Sequence, residues 1–77
     1  MIQSPEAGGT ITLTVNGAPR ELARNSTIAS LLGSLKIDPR LVVIEHNRSI
    51  LRDRDEFPSR GLSHGDVVEI VHFVGGG

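Results

Sequence analysis

Apolar and polar residues alternate strictly from Thr10 to Val15. Ile11, Leu13 and Val15 share one face, and Thr10, Thr12 and Thr14 share the other. A period of two predicts a half-buried strand. Asn16-Gly17 follows, a dipeptide suited to the two positive-φ positions of a type I′ hairpin turn. Pro19 to Ala23 is then the return strand, with Pro19 at its first residue or on an edge. The period next becomes helical. Asn25-Ser26-Thr27 supplies capping side chains, and Ile28, Leu31, Leu32 and Leu35 form one apolar helix face. Gly33 within it costs about 1 kcal/mol against alanine. Its place among leucines points to a close approach of helix and sheet. Asp38-Pro39 closes the segment, because a residue before proline is pushed out of the α region.

Leu41 to His46 is β-branched and apolar, a strand with much of both faces covered. Asn47-Arg48 is a turn, and Ser49 to Leu51 at most a very short strand. Arg52 to Arg60 is dense in charge with Phe57 as its one anchor. The segment reads as an irregular loop or short helical turn, stopped by Pro58. Its charges read as solvated surface, where ion pairs contribute only roughly 0–1 kcal/mol. Ser63 to Asp66 is a turn, and Val67 to Val74 is the last strand. With Glu69 facing water, Val68 and Ile70 point inward, and Val71 and Phe73 point outward. That outward pair either packs beneath the leader or the loop, or forms an exposed patch that docks a partner. One helix on one face of a mixed sheet of four to five strands is an α+β arrangement.

Composition narrows the function. The chain has 77 residues, one small domain with a modest core and little room for a deep active site. Hydrophobic content is 38% and charged content 22%, values of a folded globular domain. A net charge of −1 and the lack of tryptophan and tyrosine argue against nucleic acid as a partner. The chain has no cysteine, which excludes disulfides, thiolate nucleophiles and thiolate metal sites. No apolar run approaches a membrane span, and no basic-then-apolar signal segment opens the chain, so no membrane association is expected and the cytoplasm is the default. His46, His64 and His72 lack metal-like spacing. His72 lies near the tail, where it is either a plain strand residue or a partner contact. Asp53, Asp55 and Glu56 lack the glycine and later glutamate of a calcium loop. Neither Asn16-Gly17 nor Gly65-Asp66 opens a Walker-type helix. No catalytic residue and no metal site is expected.

The ending carries the distinctive signal. The last strand runs into Gly75-Gly76-Gly77. Glycine has no Cβ and loses most conformational freedom on ordering, so three in a row add nothing to a core. An extended arm of three residues reaches about 10 Å and enters narrow channels. Its reactive group is the carboxylate of Gly77. The plainer alternative is a frayed terminus or linker. Residues 1–9 read as a flexible leader, 10–74 as the domain and 75–77 as a flexible tail.

These pieces together resemble the ThiS family, the sulfur carriers of thiamin biosynthesis. The resemblance rests on Val15-Asn16-Gly17, on Ser26-Thr27-Ile28 leading to Leu31-Leu32, and on Val42 to Asn47. Above all it rests on GDVVEIVHFVGGG from Gly65 to Gly77. It covers about Thr10 to Gly77. The chain departs after the short strand, where many relatives carry a proline, an arginine and a tryptophan. Here the stretch is Leu51 to Phe57, with Phe57 as the aromatic. The leader is also longer than usual.

The resemblance implies a β-grasp (ubiquitin-like) fold and a carrier that is not itself an enzyme. A ThiF-like enzyme would use Mg-ATP to adenylate the carboxylate of Gly77; the carrier itself binds no cofactor. A sulfur donor, typically a cysteine desulfurase, would replace AMP and leave a thiocarboxylate. Thiazole synthase (ThiG) would take that sulfur. Gly75 and Gly76 would be the arm that enters and contacts the partner's channel, and Val71, Phe73 and Val74 would dock partners. Three alternatives stay open: a MoaD-like small subunit of molybdopterin synthase, a carrier or modifier of another pathway, and a β-grasp interaction domain with an inert tail.

Overall fold

A computed structural model of the chain describes residues 9–73. The leader up to residue 8 and Val74 to Gly77 lie outside the described residues. Strands β1 (Thr10–Val15) and β2 (Ala18–Ala23) form the first hairpin, with Val15 opposite Ala18 and Thr10 opposite Ala23. Its turn is built on Asn16 at φ 50° and Gly17 at φ 83°, the left-handed pair that a type I′ turn requires. A second hairpin joins β3 (Val42–His46) to β4 (Ser49–Leu51) through Asn47 at φ 50° and Arg48 at φ 73°. Strand β5 (Val67–His72) closes one five-stranded sheet in the order β2-β1-β5-β3-β4. It runs parallel to β1, with Thr14 opposite Val67 and Val15 opposite Val68. It runs antiparallel to β3, from Val42 opposite His72 to His46 opposite Val68. The last strand in sequence is therefore central in space.

Helix α1 (Ile28–Ser34) packs on one face. Its start is a capping box: the Ser30 N–H donates to Thr27 Oγ1 at 3.1 Å, and the Thr27 N–H donates to Ser30 Oγ at 3.0 Å. Its end differs from the sequence expectation. The helix stops before Leu35, well short of Asp38-Pro39. Lys36 adopts a left-handed φ of 59°, its N–H donates to the Gly33 carbonyl at 3.1 Å, and the Ile37 N–H donates to the Leu32 carbonyl at 2.9 Å. This is a Schellman stop made by lysine, where glycine is usual. Asp38-Pro39 instead starts a 3₁₀ helix, Pro39–Leu41. Leu41 thus precedes the strand and is exposed.

The core lies between α1 and the sheet. Leu13, Ile28, Leu31, Leu32, Ile44 and Val68 are fully buried in it. Phe57 enters from a second 3₁₀ helix, Arg54–Ser59, and is buried as the anchor of that charged stretch. Pro58 lies inside this helix and does not stop it. Proline has no N–H to donate, and the i→i+3 bonds on either side, from the Glu56 N–H to Asp53 and from the Arg60 N–H to Phe57, do not need it. The charges of the stretch are not all merely solvated. The Arg54 guanidinium donates to the carbonyls of Pro39 at 3.0 Å and Arg40 at 3.2 Å, tying the two 3₁₀ helices together. The expected close approach at Gly33 is absent. Gly33 is exposed, and a Cβ built there meets no atom within 4 Å.

Candidate functional site

With α1 covering one face of the sheet, side chains of β5 alternate between core and open face. Val68 and Ile70 are buried, whereas Val71 is 60% and Phe73 51% exposed. The sequence placed these four residues correctly. Val71 stands opposite Val43 on β3, and the ladder continues past it, because the Phe73 N–H donates to the Leu41 carbonyl at 2.9 Å. Leu41 and Ile50, each 53% exposed, widen the patch. Sequence reasoning missed both. Ile50 was detectable, since it sits opposite the outward Glu45 in the β3–β4 register. Phe73 and Ile50 border a cleft whose rim holds Arg52 and Arg54 and whose floor reaches Val43 and Phe57. Among the described residues, the charged loop does not cover the patch. Leu41, Ile50, Val71 and Phe73 thus form an exposed apolar patch on the open face, while Val67, also exposed, lies at the far end of β5. Val74, Gly75, Gly76 and Gly77, the remaining expected site residues, lie outside the described residues.

Strand β5 is gripped by two asparagine side chains. On the β1 side, the Asn16 N–H donates to the Val68 carbonyl at 2.9 Å. Beyond it the Ile70 N–H donates to Asn16 Oδ1 at 2.7 Å, and Asn16 Nδ2 donates to the Ile70 carbonyl at 3.2 Å. On the β3 side, the Asn47 N–H donates to the Val67 carbonyl at 2.8 Å, and the Val67 N–H donates to Asn47 Oδ1 at 2.8 Å. The sequence presented both residues only as turn formers. A carboxamide carries the same donor and acceptor as a peptide group, which glycine and aspartate at a turn do not.

His46 was also read as an unpatterned imidazole, and it is buried. Arg60 Nε donates to its Nδ1 at 3.1 Å, so the ring proton sits on Nε2 and is donated to Asp66 Oδ2 at 2.7 Å. Asp66 also accepts from the Ser63 N–H at 2.9 Å and from Asn47 Nδ2 at 3.1 Å. Burial pushes the Asp66 carboxyl up, but these hydrogen bonds, with His46 foremost, together hold it below the usual carboxylate range. The network joins the end of β3 to the start of β5 and leaves no free imidazole lone pair for chemistry. His64 Nδ1 accepts the Thr12 N–H at 3.1 Å, and His72 is exposed on the terminal strand. Among the described residues, no three histidine, aspartate or glutamate side chains gather as metal ligands. Among them too, no helix is long and apolar enough to cross a membrane.

Comparison with known proteins adds an independent line. The profile of the ThiS family matches residues 13–77. The sulfur carrier protein ThiS of Bacillus subtilis (strain 168) is 36% identical over 66 residues, covering 84% of this chain and 98% of that protein. A thiazole synthase of Paramagnetospirillum magneticum is 37% identical over 65 residues, but the match spans only 20% of its length. The crystal structure of the thiamine biosynthesis protein ThiS from Geobacter metallireducens superposes with a TM-score of 0.74 at 36% identity, covering 87% of this chain and 100% of that one. The shared architecture, a five-stranded mixed sheet grasping one main helix, is the β-grasp fold.

Proposed function

Because this chain belongs to the ThiS family, the sulfur carriers of thiamin biosynthesis, we propose that the carboxylate of Gly77 is its sulfur-bearing group. The observation that carries this reading is that the family match runs through residue 77, so the three glycines belong to the shared segment. A carboxylate is a poor electrophile. Its oxygen attacks the α-phosphorus of Mg-ATP held by a ThiF-like enzyme, and pyrophosphate leaves. A persulfide sulfur, from a donor such as a cysteine desulfurase, then displaces AMP at the acyl carbon. Cleavage of the remaining S–S bond by a thiol leaves the thiocarboxylate. Glycine at the tip gives the least hindrance to each attack, and Gly75 and Gly76 extend the arm without side chains. The carrier offers no catalytic group; the partner's preorganised donors stabilise the developing charge. Its own role is docking through Val71, Phe73 and Val74, with residues 10–74 as body and 75–77 as arm. The lack of cysteine fits, since no internal thiol competes for the activated acyl group.

Relatives named thiazole synthase contain a segment like this chain, which favours a thiazole-forming acceptor over a pterin-forming one. The cycle is assigned to the cytoplasm, where ATP is at hand. The test is intact mass after incubation with a ThiF-like enzyme, Mg-ATP, a persulfide donor and a thiol that cleaves the acyl disulfide. Exchange of one oxygen for sulfur is expected, and deletion of Gly77 should abolish it while leaving the fold intact. A truncated chain that still gains sulfur would refute the assignment.

A further inference from the structure

Strand β5 leads into the arm, and its backbone support is lopsided. On the β3 side it is paired along its whole length, and the Phe73 N–H extends the ladder. On the β1 side the ladder ends with Val15 opposite Val68, because the chain turns away at Asn16-Gly17 to form β2. Backbone groups along a strand face its two neighbours alternately. Val67 and Phe73 bond toward β3, while the Val68 carbonyl bonds to Asn16. Ile70 and His72 therefore present their N–H and C=O where β1 has already ended. The Asn16 carboxamide fills the first of these positions with both of its bonds, at 2.7 and 3.2 Å. It acts as one more residue of β1, grafted on through a side chain.

Two separate demands meet at this position. The turn needs a residue that tolerates a φ of 50°, which glycine and aspartate also satisfy. The grip on Ile70 needs a donor and an acceptor together. Glycine has neither, and an aspartate oxygen would face the Ile70 carbonyl without a proton. Asparagine alone of the three meets both demands. A strand rises about 3.3 Å per residue, so Phe73 stands about 10 Å beyond Ile70, and a tilt of about 6° there moves the root of the arm by about 1 Å. A misplacement of that size at a reacting group costs up to about a hundredfold in rate.

We propose that Asn16 is a positioning residue for the C-terminal arm, its carboxamide holding the end of β5 at Ile70 and so setting the direction in which the arm enters the activating enzyme. The proposal rests on the carrier reading above, and two readouts keep the failures apart. The first needs no partner: backbone ¹⁵N relaxation of the free protein and of Asn16→Gly, which keeps the turn and removes the grip. Order parameters at Ile70, His72 and Phe73 should fall while that of Glu69, opposite Glu45 on β3, holds. Unchanged values at Ile70 and His72 overturn the grip. The second is ATP–pyrophosphate exchange with a ThiF-like enzyme. For Asn16→Gly, kcat should fall at least about tenfold with KM for the carrier unchanged, because the docking face is intact. Asn16→Asp, which still accepts from the Ile70 N–H, should fall between. A purely structural role would lower the melting temperature and leave kcat of the folded protein alone, and that result overturns the proposal. A wild-type chain that supports no exchange sinks the carrier reading, and the relaxation data still decide the grip. If Asn16→Gly does not fold, amide exchange in the wild type decides. The Ile70 N–H should be protected well beyond the His72 N–H, and equal rates refute the grip.

Discussion

Phe73→Asp separates docking from folding. Phe73 is 51% exposed. An aromatic side chain buries about 200 Å² in full, so about 100 Å² remains for a partner to cover. At about 25 cal/mol per Å² that area contributes about 2.5 kcal/mol to binding. An aspartate in its place forfeits this and must also lose hydration as the interface closes, a further cost of about 1–3 kcal/mol. Together they come to about 4 kcal/mol, close to a thousandfold in Kd at 1.4 kcal/mol per factor of ten. Folding loses less. In the free protein the carboxylate stays in water, near Arg52 and Arg54 on the same cleft, and only the covered half of the ring is lost, at most about 2.5 kcal/mol. The assay pairs calorimetric titration against a ThiF-like enzyme with urea denaturation of the free protein. A Kd shift below tenfold, or a folding loss larger than the binding loss, would refute the docking role of this face.

Three further outcomes follow from the same geometry. Asp66 has a depressed carboxyl, so its contribution is present above the unfolded value of about 3.9 and lost as pH falls through the lower folded value. Urea stability should therefore decline below about pH 4, and Asp66→Asn should flatten that limb; an unchanged acid profile would contradict it. Gly33→Ala, at an exposed helix position with open space for a Cβ, should raise stability by about 0.5–1 kcal/mol in thermal melts, and a loss would restore the close approach that the structure denies. Phe57→Ala should cost about 3–5 kcal/mol, a large part of the 5–15 kcal/mol typical of a whole domain, whereas a loss below about 1 kcal/mol would make the charged loop peripheral.

The chain announces its regular elements because their periods are local. Thr10 to Val15 and Val67 to Val71 show the alternation that sorted buried from more exposed residues correctly, and the leucine spacing located α1; at His72, where the sheet's cover ends, the alternation no longer predicts burial. The misreadings share a physical origin in partners distant along the chain or in atypical stops. Asn16 looks like any hairpin asparagine until β5 arrives from 54 residues away. His46 becomes a buried hub only when Arg60 and Asp66 converge on it. Lys36 ends the helix in a conformation that sequence rules reserve for glycine or asparagine. The three terminal glycines lie at the opposite extreme: no period marks them, and they stand out by what glycine lacks and by falling within the segment the family shares.

The central place of β5 has a mechanical consequence. A pull applied at Phe73, the last described residue, along the axis of β5 would load the whole strand. The hydrogen bonds to β1, β3 and the two asparagines lie across that axis, so the load reaches them in shear and they share it. A strand at the edge of the sheet, paired on one side alone, would hold with one ladder only. A pull on the described end of β5 is thus resisted on both flanks, because this strand is the one its neighbours hold from both sides.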